Sequence, residues 1–392
     1  MRSSVADRRK SDIGGLIKMN GNIKTPYFLV DEKLLIKNLE ILRAVQDETG
    51  CRILLAQKAF SMFYTYPLIS KYLSGTTASG LYEARLGKEK FGGETHVFSP
   101  AYRADEFEEI LKYADDIVFN SVSQVKKYGE IAKSRGKSVG LRVNPECSTQ
   151  EGHAIYDPCA VGSRLGCPLA SFDESILPTL DGLHFHTLCE QNSDDLETTA
   201  KAFEEKFGKY LYGMKWVNFG GGHHITREDY NIELLKKIIR HFKEKYNVRV
   251  YLEPGEAVVL NAGFLKTSVM EIVRNGMDIA ILDCSAACHT PDVIEMPYRP
   301  PLQNSGKPNE KKYTYRLGGP TCLAGDVIGD YSFDARLEEG DILTFEDMAL
   351  YTMVKTNTFN GMKLPDIVYR NSEGEEILVK SFGYEDFVGR LS

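Results

Sequence analysis

Between about residues 50 and 256 two periodicities alternate along the chain. Short runs rich in apolar and β-branched residues are separated by longer stretches whose apolar positions recur every three or four residues, the signature of parallel βαβ units. Eight such runs can be read, at 52–57, 76–79, 96–99, 116–120, 138–144, 182–186, 216–219 and 249–253, with helical stretches such as 121–135, 194–211 and 231–246 between them. This layout predicts an α/β fold, a closed (β/α)8 barrel, with an open eight-stranded sheet as the competing arrangement.

After Gly263 the helical period stops, turns become frequent (Asn304-Ser305-Gly306, Gly318-Gly319-Pro320, Glu339-Gly340), and runs at 314–317, 341–345 and 376–382 read as antiparallel strands. A second, β-rich, barrel-like C-terminal domain is expected. The segment TPYFLVD also reads as a strand, so this domain is expected to take its first strand from the N-terminal side. The expected organisation is a loose extension over 1–21, a strand segment over 22–37 belonging to the β domain, the barrel over 38–264 and the C-terminal β domain over 265–392.

Composition narrows the partners. The 392 residues carry a net charge of −7, and the basic run Arg8-Arg9-Lys10 is too short to attract nucleic acid or an anionic membrane. No uninterrupted apolar stretch of about 18 residues occurs, and the first twenty positions lack the apolar centre of a secretion signal. A cytoplasmic protein acting on a small molecule is expected. The eight cysteines form no CxxC pair and read as reduced thiols, and no metal is expected.

In a barrel of this kind the site is built at the C-terminal ends of the strands. The reactive residues falling there are Lys58 after strand one, Arg142 and Asn144 on strand five, His186 on strand six, Gly220-Gly221-Gly222 after strand seven and Glu253 on strand eight. Lys58 lies in LLAQKAF, where a desolvated amine becomes a nucleophile suited to a Schiff base. Taken alone it reads more readily as a lysine snorkelling at a strand end, a reading that loses its lead once the neighbours are counted. The triple glycine offers bare backbone N–H groups to a phosphate, or simply a turn needing positive φ. Glu253 in YLEPGEA would place a carboxylate against a pyridine nitrogen and keep it protonated, or would merely salt-bridge at the rim.

His184 and His186 share a strand face. They read as a metal pair, as core histidines, or with His186 stacked on a cofactor ring and His184 deeper in the barrel. In the β domain, Cys322 in GGPTCLAGD could deliver a proton to a substrate carbon, and Tyr351 in DMALYT could hydrogen-bond a phosphate. Either could equally be a buried core residue.

As an ordered set these residues resemble the alanine-racemase-like fold group of pyridoxal-phosphate (PLP) enzymes, and within it the decarboxylase branch of ornithine, arginine and diaminopimelate decarboxylases. Glu253 separates this branch from the racemases, which place an arginine there. The stretches LLAQKAFSMF, HFHTLCEQ, FGGGHHIT, EPGEAVVLNAG and PDVIEMPYRPPL look most like the carboxynorspermidine (carboxyspermidine) decarboxylase family. The resemblance implies PLP on Lys58, with Arg142, His186, Gly220–Gly222, Glu253 and Tyr351 around it. It also gives Cys322 and Asp326 recognised places, and implies a homodimer that shares its active sites. Where most of the branch has an EPGR arginine, this chain has Glu256, which argues against diaminopimelate decarboxylase. Asp283 or Asp292 with Glu295 would offer acids to a polyamine tail, Arg299 a cation to a carboxylate, and Glu256 and Asp326 are expected among the substrate contacts. The implied reaction is decarboxylation to norspermidine or spermidine, with diaminopimelate or another basic amino acid as the alternative substrate. A metal-dependent barrel hydrolase and a non-catalytic regulatory relative are the competing readings from other classes.

Overall fold

The computed structural model describes residues 17–18, 23–150 and 157–392. They form two compact units, one of residues 35–260 and the other of the described residues up to 34 together with 261–392. The expectation for residues 1–21 lies outside the described residues except at 17–18.

In the first unit the strands are Arg52–Ala56, Gly75–Ala78, Glu94–Phe98, Asp116–Phe119, Ser138–Asn144, Gly182–His184, Trp216–Asn218 and Arg249–Leu252. Each pairs in parallel with the next, and Tyr251 of the last stands opposite Arg52 of the first, which closes the barrel and excludes the open sheet. Inside it Leu54, Val118, Trp216 and Tyr251 pack together. Trp216 fits because Gly140 and Gly182 face it, where a Cβ would come within 2.3 and 2.1 Å of the indole.

At the N-terminal side of the strands His96 is buried between acids, with Nε2 3.1 Å from Asp116 and 3.3 Å from Glu94. Burial alone would lower its pKa, but the two carboxylates lift it to about 10. This end of such a barrel carries stability rather than chemistry.

The outer helices follow from amphipathic periodicity. In Ile232–Tyr246 the residues Leu235, Ile239, Phe242 and Tyr246 turn inward, Asn231 caps the start by accepting from Leu234 N–H at 3.1 Å, and Asn247 ends it in the left-handed conformation at φ 57°. Helix Ser193–Leu211 buries Phe203 against Phe185, ring centroids 4.4 Å apart. Among the described residues no helix is long and apolar enough to cross a membrane.

The second unit is built on a nine-stranded sheet. Its spine is the 13-residue strand Gly263–Asn275, which pairs antiparallel with Tyr27–Asp31, Met277–Leu282 and Ile342–Glu346. The expectation of antiparallel pairing needs correction, because the sheet is mixed. Tyr27–Asp31 runs parallel to Asp366–Arg370, and Met277–Leu282 runs parallel to Tyr313–Gly318. A parallel neighbour requires a crossover, and the chain from 283 to 312 supplies it with short helices at Ala286–His289 and Asp292–Glu295. Phe28, Leu265, Ala280, Leu317, Tyr331 and Phe345 form the centre of this unit.

Candidate active site

Lys58 sits where the chain turns out of the first barrel strand, with Ala59 N–H bonded back to Ala56 O at 3.0 Å. Gln57 braces this turn, donating to Glu83 O at 2.8 Å and accepting from Tyr66 Oη at 3.1 Å. Lys58 is exposed although its neighbours from Ile53 to Phe60 are buried. Its amine is nonetheless enclosed by protein, and its pKa is lowered, first by that desolvation and then by the Arg142 charge, against the pull of Glu253. A desolvated amine that loses its proton easily has the chemistry of a nucleophile.

Glu253 follows the last strand and is buried. His184 Nε2 lies 3.3 Å from its Oε2, and Asn218 Nδ2 donates to its Oε1 at 2.8 Å. Burial would raise its pKa, but the His184 hydrogen bond, the nearby charges and Asn218 bring it down to about 2, so the carboxylate stays ionised. Since an ionised carboxylate only accepts, the His184 proton sits on Nε2. Burial also lowers the His184 pKa, which leaves that ring neutral.

His186 accepts at Nδ1 from Gly221 N–H at 3.3 Å, and its pKa is driven well below the usual value by burial and by Lys58. It is a neutral ring with a fixed tautomer. The two histidines of the HxH pair thus turn to different partners, with ring centroids 6.5 Å apart. Arg142 is buried, donates to His186 O at 3.2 Å and stacks 4.7 Å from the Phe98 ring, and its pKa is lowered to about 10 by burial. Asn144 instead accepts from Glu146 N–H at 2.8 Å and shapes its own turn.

The glycine triplet departs from the expectation of successive free N–H groups. Gly220 N–H is taken by Asn218 Oδ1 at 2.8 Å and Gly221 N–H by His186. Its glycines are required by geometry. Gly220 and Gly222 have φ of +69° and +81°, and a Cβ on Gly222 would stand 2.0 Å from Leu188 O. Glu256 opens a short helix and lies 2.5 Å from His224 Nε2, with Glu190 close by.

The remaining candidates belong to the second unit. Cys322 is exposed, its N–H bonded to Asn360 Oδ1 at 2.9 Å and its Sγ 3.3 Å from Asn360 Nδ2. Tyr351 has the unusual backbone pair φ 52°, ψ −41°, a conformation that bulky residues adopt only where the surroundings enforce it. Asp292 and Glu295 share the Lys355 ammonium, at 2.5 and 3.1 Å.

Three expected substrate contacts are committed elsewhere. Asp326 is buried and accepts from Ser285 Oγ, Ala287 N and Thr321 Oγ1, fixing the Cys322 loop. Asp283 accepts from Thr25, Thr267 and Ser268. Arg299 stacks 4.7 Å from the Tyr331 ring and reaches Gly306 O. The sequence reading missed Asn218, the orienting role of His184, and Glu83, whose carboxyl feels the Lys58 charge and accepts from Ser79 N–H at 2.6 Å. Asn218 and Glu83 stand in no motif whose spacing marks them, and the HxH spacing marks His184 without telling its partner.

Residues 19–349 match the family described as "Pyridoxal-dependent decarboxylase, C-terminal sheet domain". The carboxynorspermidine/carboxyspermidine decarboxylase of Campylobacter jejuni is 43% identical, covering 93% of this chain and 98% of the relative. The carboxyaminopropylagmatine decarboxylase of Synechocystis is 41% identical, covering 94% and 96%. The crystal structure of the C. jejuni carboxynorspermidine decarboxylase complexed with norspermidine superimposes with a TM-score of 0.87 at 42% identity, over 94% of this chain and all of that one. The chain therefore belongs to the pyridoxal-dependent decarboxylases.

Proposed function

We propose that this protein removes the α-carboxylate of carboxynorspermidine or carboxyspermidine, giving norspermidine or spermidine, with PLP held on Lys58. The observation that carries the site assignment is the placing of Lys58, whose amine has a lowered pKa, just past the first barrel strand and of the buried, ionised Glu253 just past the last, two strands paired in parallel. The residues suit PLP. Lys58 offers the amine that would bind it, the neutral His186 ring offers a flat face, and Glu253 offers a negative charge for a ring nitrogen. When bound, PLP supplies an electron sink for the Cα–CO2 bond.

The chain's own side chains do the rest. Arg142 and Gly221 hold His186 in one orientation through its carbonyl and Nδ1. Glu253 would favour a proton on the ring nitrogen, because an ionised carboxylate stabilises that charge and a neutral acid would not. Cys322 then donates its Sγ proton to the substrate Cα. Asp292 and Glu295 offer carboxylates to the cationic tail in exchange for Lys355, and Tyr351 offers a phenol to the phosphate.

The assembly proposed is a homodimer in which a second copy brings its Cys322. In support, Leu323, Phe359, Val354, Ile294, Met296 and Tyr298 are all exposed in the unit that carries Cys322 and offer apolar side chains for a second copy to cover. The proposed compartment is the cytoplasm, in keeping with eight unpaired cysteines.

The C. jejuni relative supports the substrate, while the near-equal identity of the Synechocystis relative makes carboxyaminopropylagmatine the second reading. Ranking kcat/KM over both carboxylated polyamines, carboxyaminopropylagmatine, diaminopimelate and ornithine decides between them. Preference for carboxynorspermidine or carboxyspermidine is expected, and preference for any other member of the panel overturns the substrate assignment.

A further inference from the structure

Asn218 ends the seventh barrel strand, is fully buried, and spends both ends of its side-chain amide on the site. Nδ2 donates to Glu253 Oε1 at 2.8 Å, and Oδ1 accepts from Gly220 N–H at 2.8 Å. Gly220 in turn accepts at its carbonyl from Glu253 N–H at 2.8 Å, so the three residues close a ring of hydrogen bonds. The next residue, Gly221, holds His186. A single side chain thereby joins the carboxylate of the last strand to the glycine turn of the seventh.

We propose that Asn218 is a positioning residue that holds Glu253 and the Gly220-Gly221 turn, which carries His186, in one frame around the cofactor. The proposal rests on the reading that Glu253 faces the ring nitrogen. An amide is required rather than an acid of the same shape. Asp at 218 would still accept from Gly220, but it would set a second carboxylate against Glu253, and one of the two would have to take up a proton. Alanine would strand Glu253 Oε1 and Gly220 N–H without partners in a buried place.

Two variants separate positioning from mere support. For Asn218→Ala, titration with PLP followed by absorbance should show affinity weakened about tenfold or more. For Asn218→Asp, which keeps the Gly220 contact and the side-chain volume, the acid-side transition in the spectrum of bound PLP, and the acid limb of kcat, should move up by about one pH unit or more. The wild-type holoenzyme, with its melting temperature and circular dichroism, is the reference. If Asn218→Ala fails to fold, the Asn218→Asp profile decides. PLP affinity within about twofold of wild type together with unmoved pH transitions would overturn the proposal. A wild-type protein that takes up no PLP would instead overturn the reading beneath it.

Discussion

His184 Nε2 lies 3.3 Å from Glu253 Oε2, both residues are buried, and the proton between them belongs to the histidine. This contact is one of the causes that hold Glu253 near pKa 2 against the effect of burial. His184→Phe should raise the Glu253 pKa and move the acid limb of kcat upward, by about one pH unit. A pH–rate profile unchanged in that variant would show that His184 does not tune Glu253.

Glu253 also makes a prediction about stability. Its folded pKa, about 2, lies below its ordinary value of 4.5, so its contribution is present above pH 4.5 and is lost as pH falls through 2. The size is on the order of 3 kcal/mol at about 1.4 kcal/mol per unit. Urea unfolding of the wild type and Glu253→Gln, without PLP, should differ by a margin that shrinks below pH 4. A margin independent of pH contradicts the assignment.

His96 has the opposite sign. Its folded pKa near 10 exceeds the ordinary 6.5, so its stabilisation is complete below pH 6.5 and is lost as pH rises through 10. His96→Leu removes the cation between Asp116 and Glu94, leaving Arg52 at 3.8 Å from Glu94 as the nearest ion-pair partner, and should cost about 3 kcal/mol or more at pH 6. Thermal melts that match the wild type at that pH would remove His96 as a structural element.

Lys58 costs stability. A base with a lowered folded pKa is penalised at every pH below its ordinary value of 10.5, because the unfolded chain takes up the proton more readily. Lys58→Met should therefore melt higher than the PLP-free wild type while retaining no covalently bound PLP after borohydride reduction and peptide mapping. A lower melting temperature would mean that the amine is well accommodated as a cation.

Removal of the Cys322 thiol tests the proton donor. Cys322→Ala should bind PLP as the wild type does and release CO2, but with kcat reduced about 100-fold or more and with protonation of the product misplaced. Normal turnover would dismiss the thiol.

The barrel was legible because its strands carry continuous apolar runs, such as Ile53–Leu55 and Ile117–Phe119, which a parallel sheet covered on both faces demands. The strand Gly263–Asn275 was not, because Thr267 takes an inward position between Leu265 and Val269 and breaks the alternation. Lys58, His186 and Glu253 stand just past strand ends, where a barrel of this kind builds its site. Asn218 looked like any strand residue, and its importance lies in two hydrogen bonds between residues distant in sequence. The glycine triplet was half legible: the need for glycine was real, but the N–H groups of Gly220 and Gly221 serve Asn218 and His186.

The most direct test of the central claim is the stoichiometry of products from carboxynorspermidine and from carboxyspermidine, for the PLP-loaded wild type and for Lys58→Met. CO2 and the matching polyamine should appear in equal amounts with the wild type and neither with the variant. CO2 released equally well by Lys58→Met, or no CO2 from either substrate with the wild type, would contradict the account.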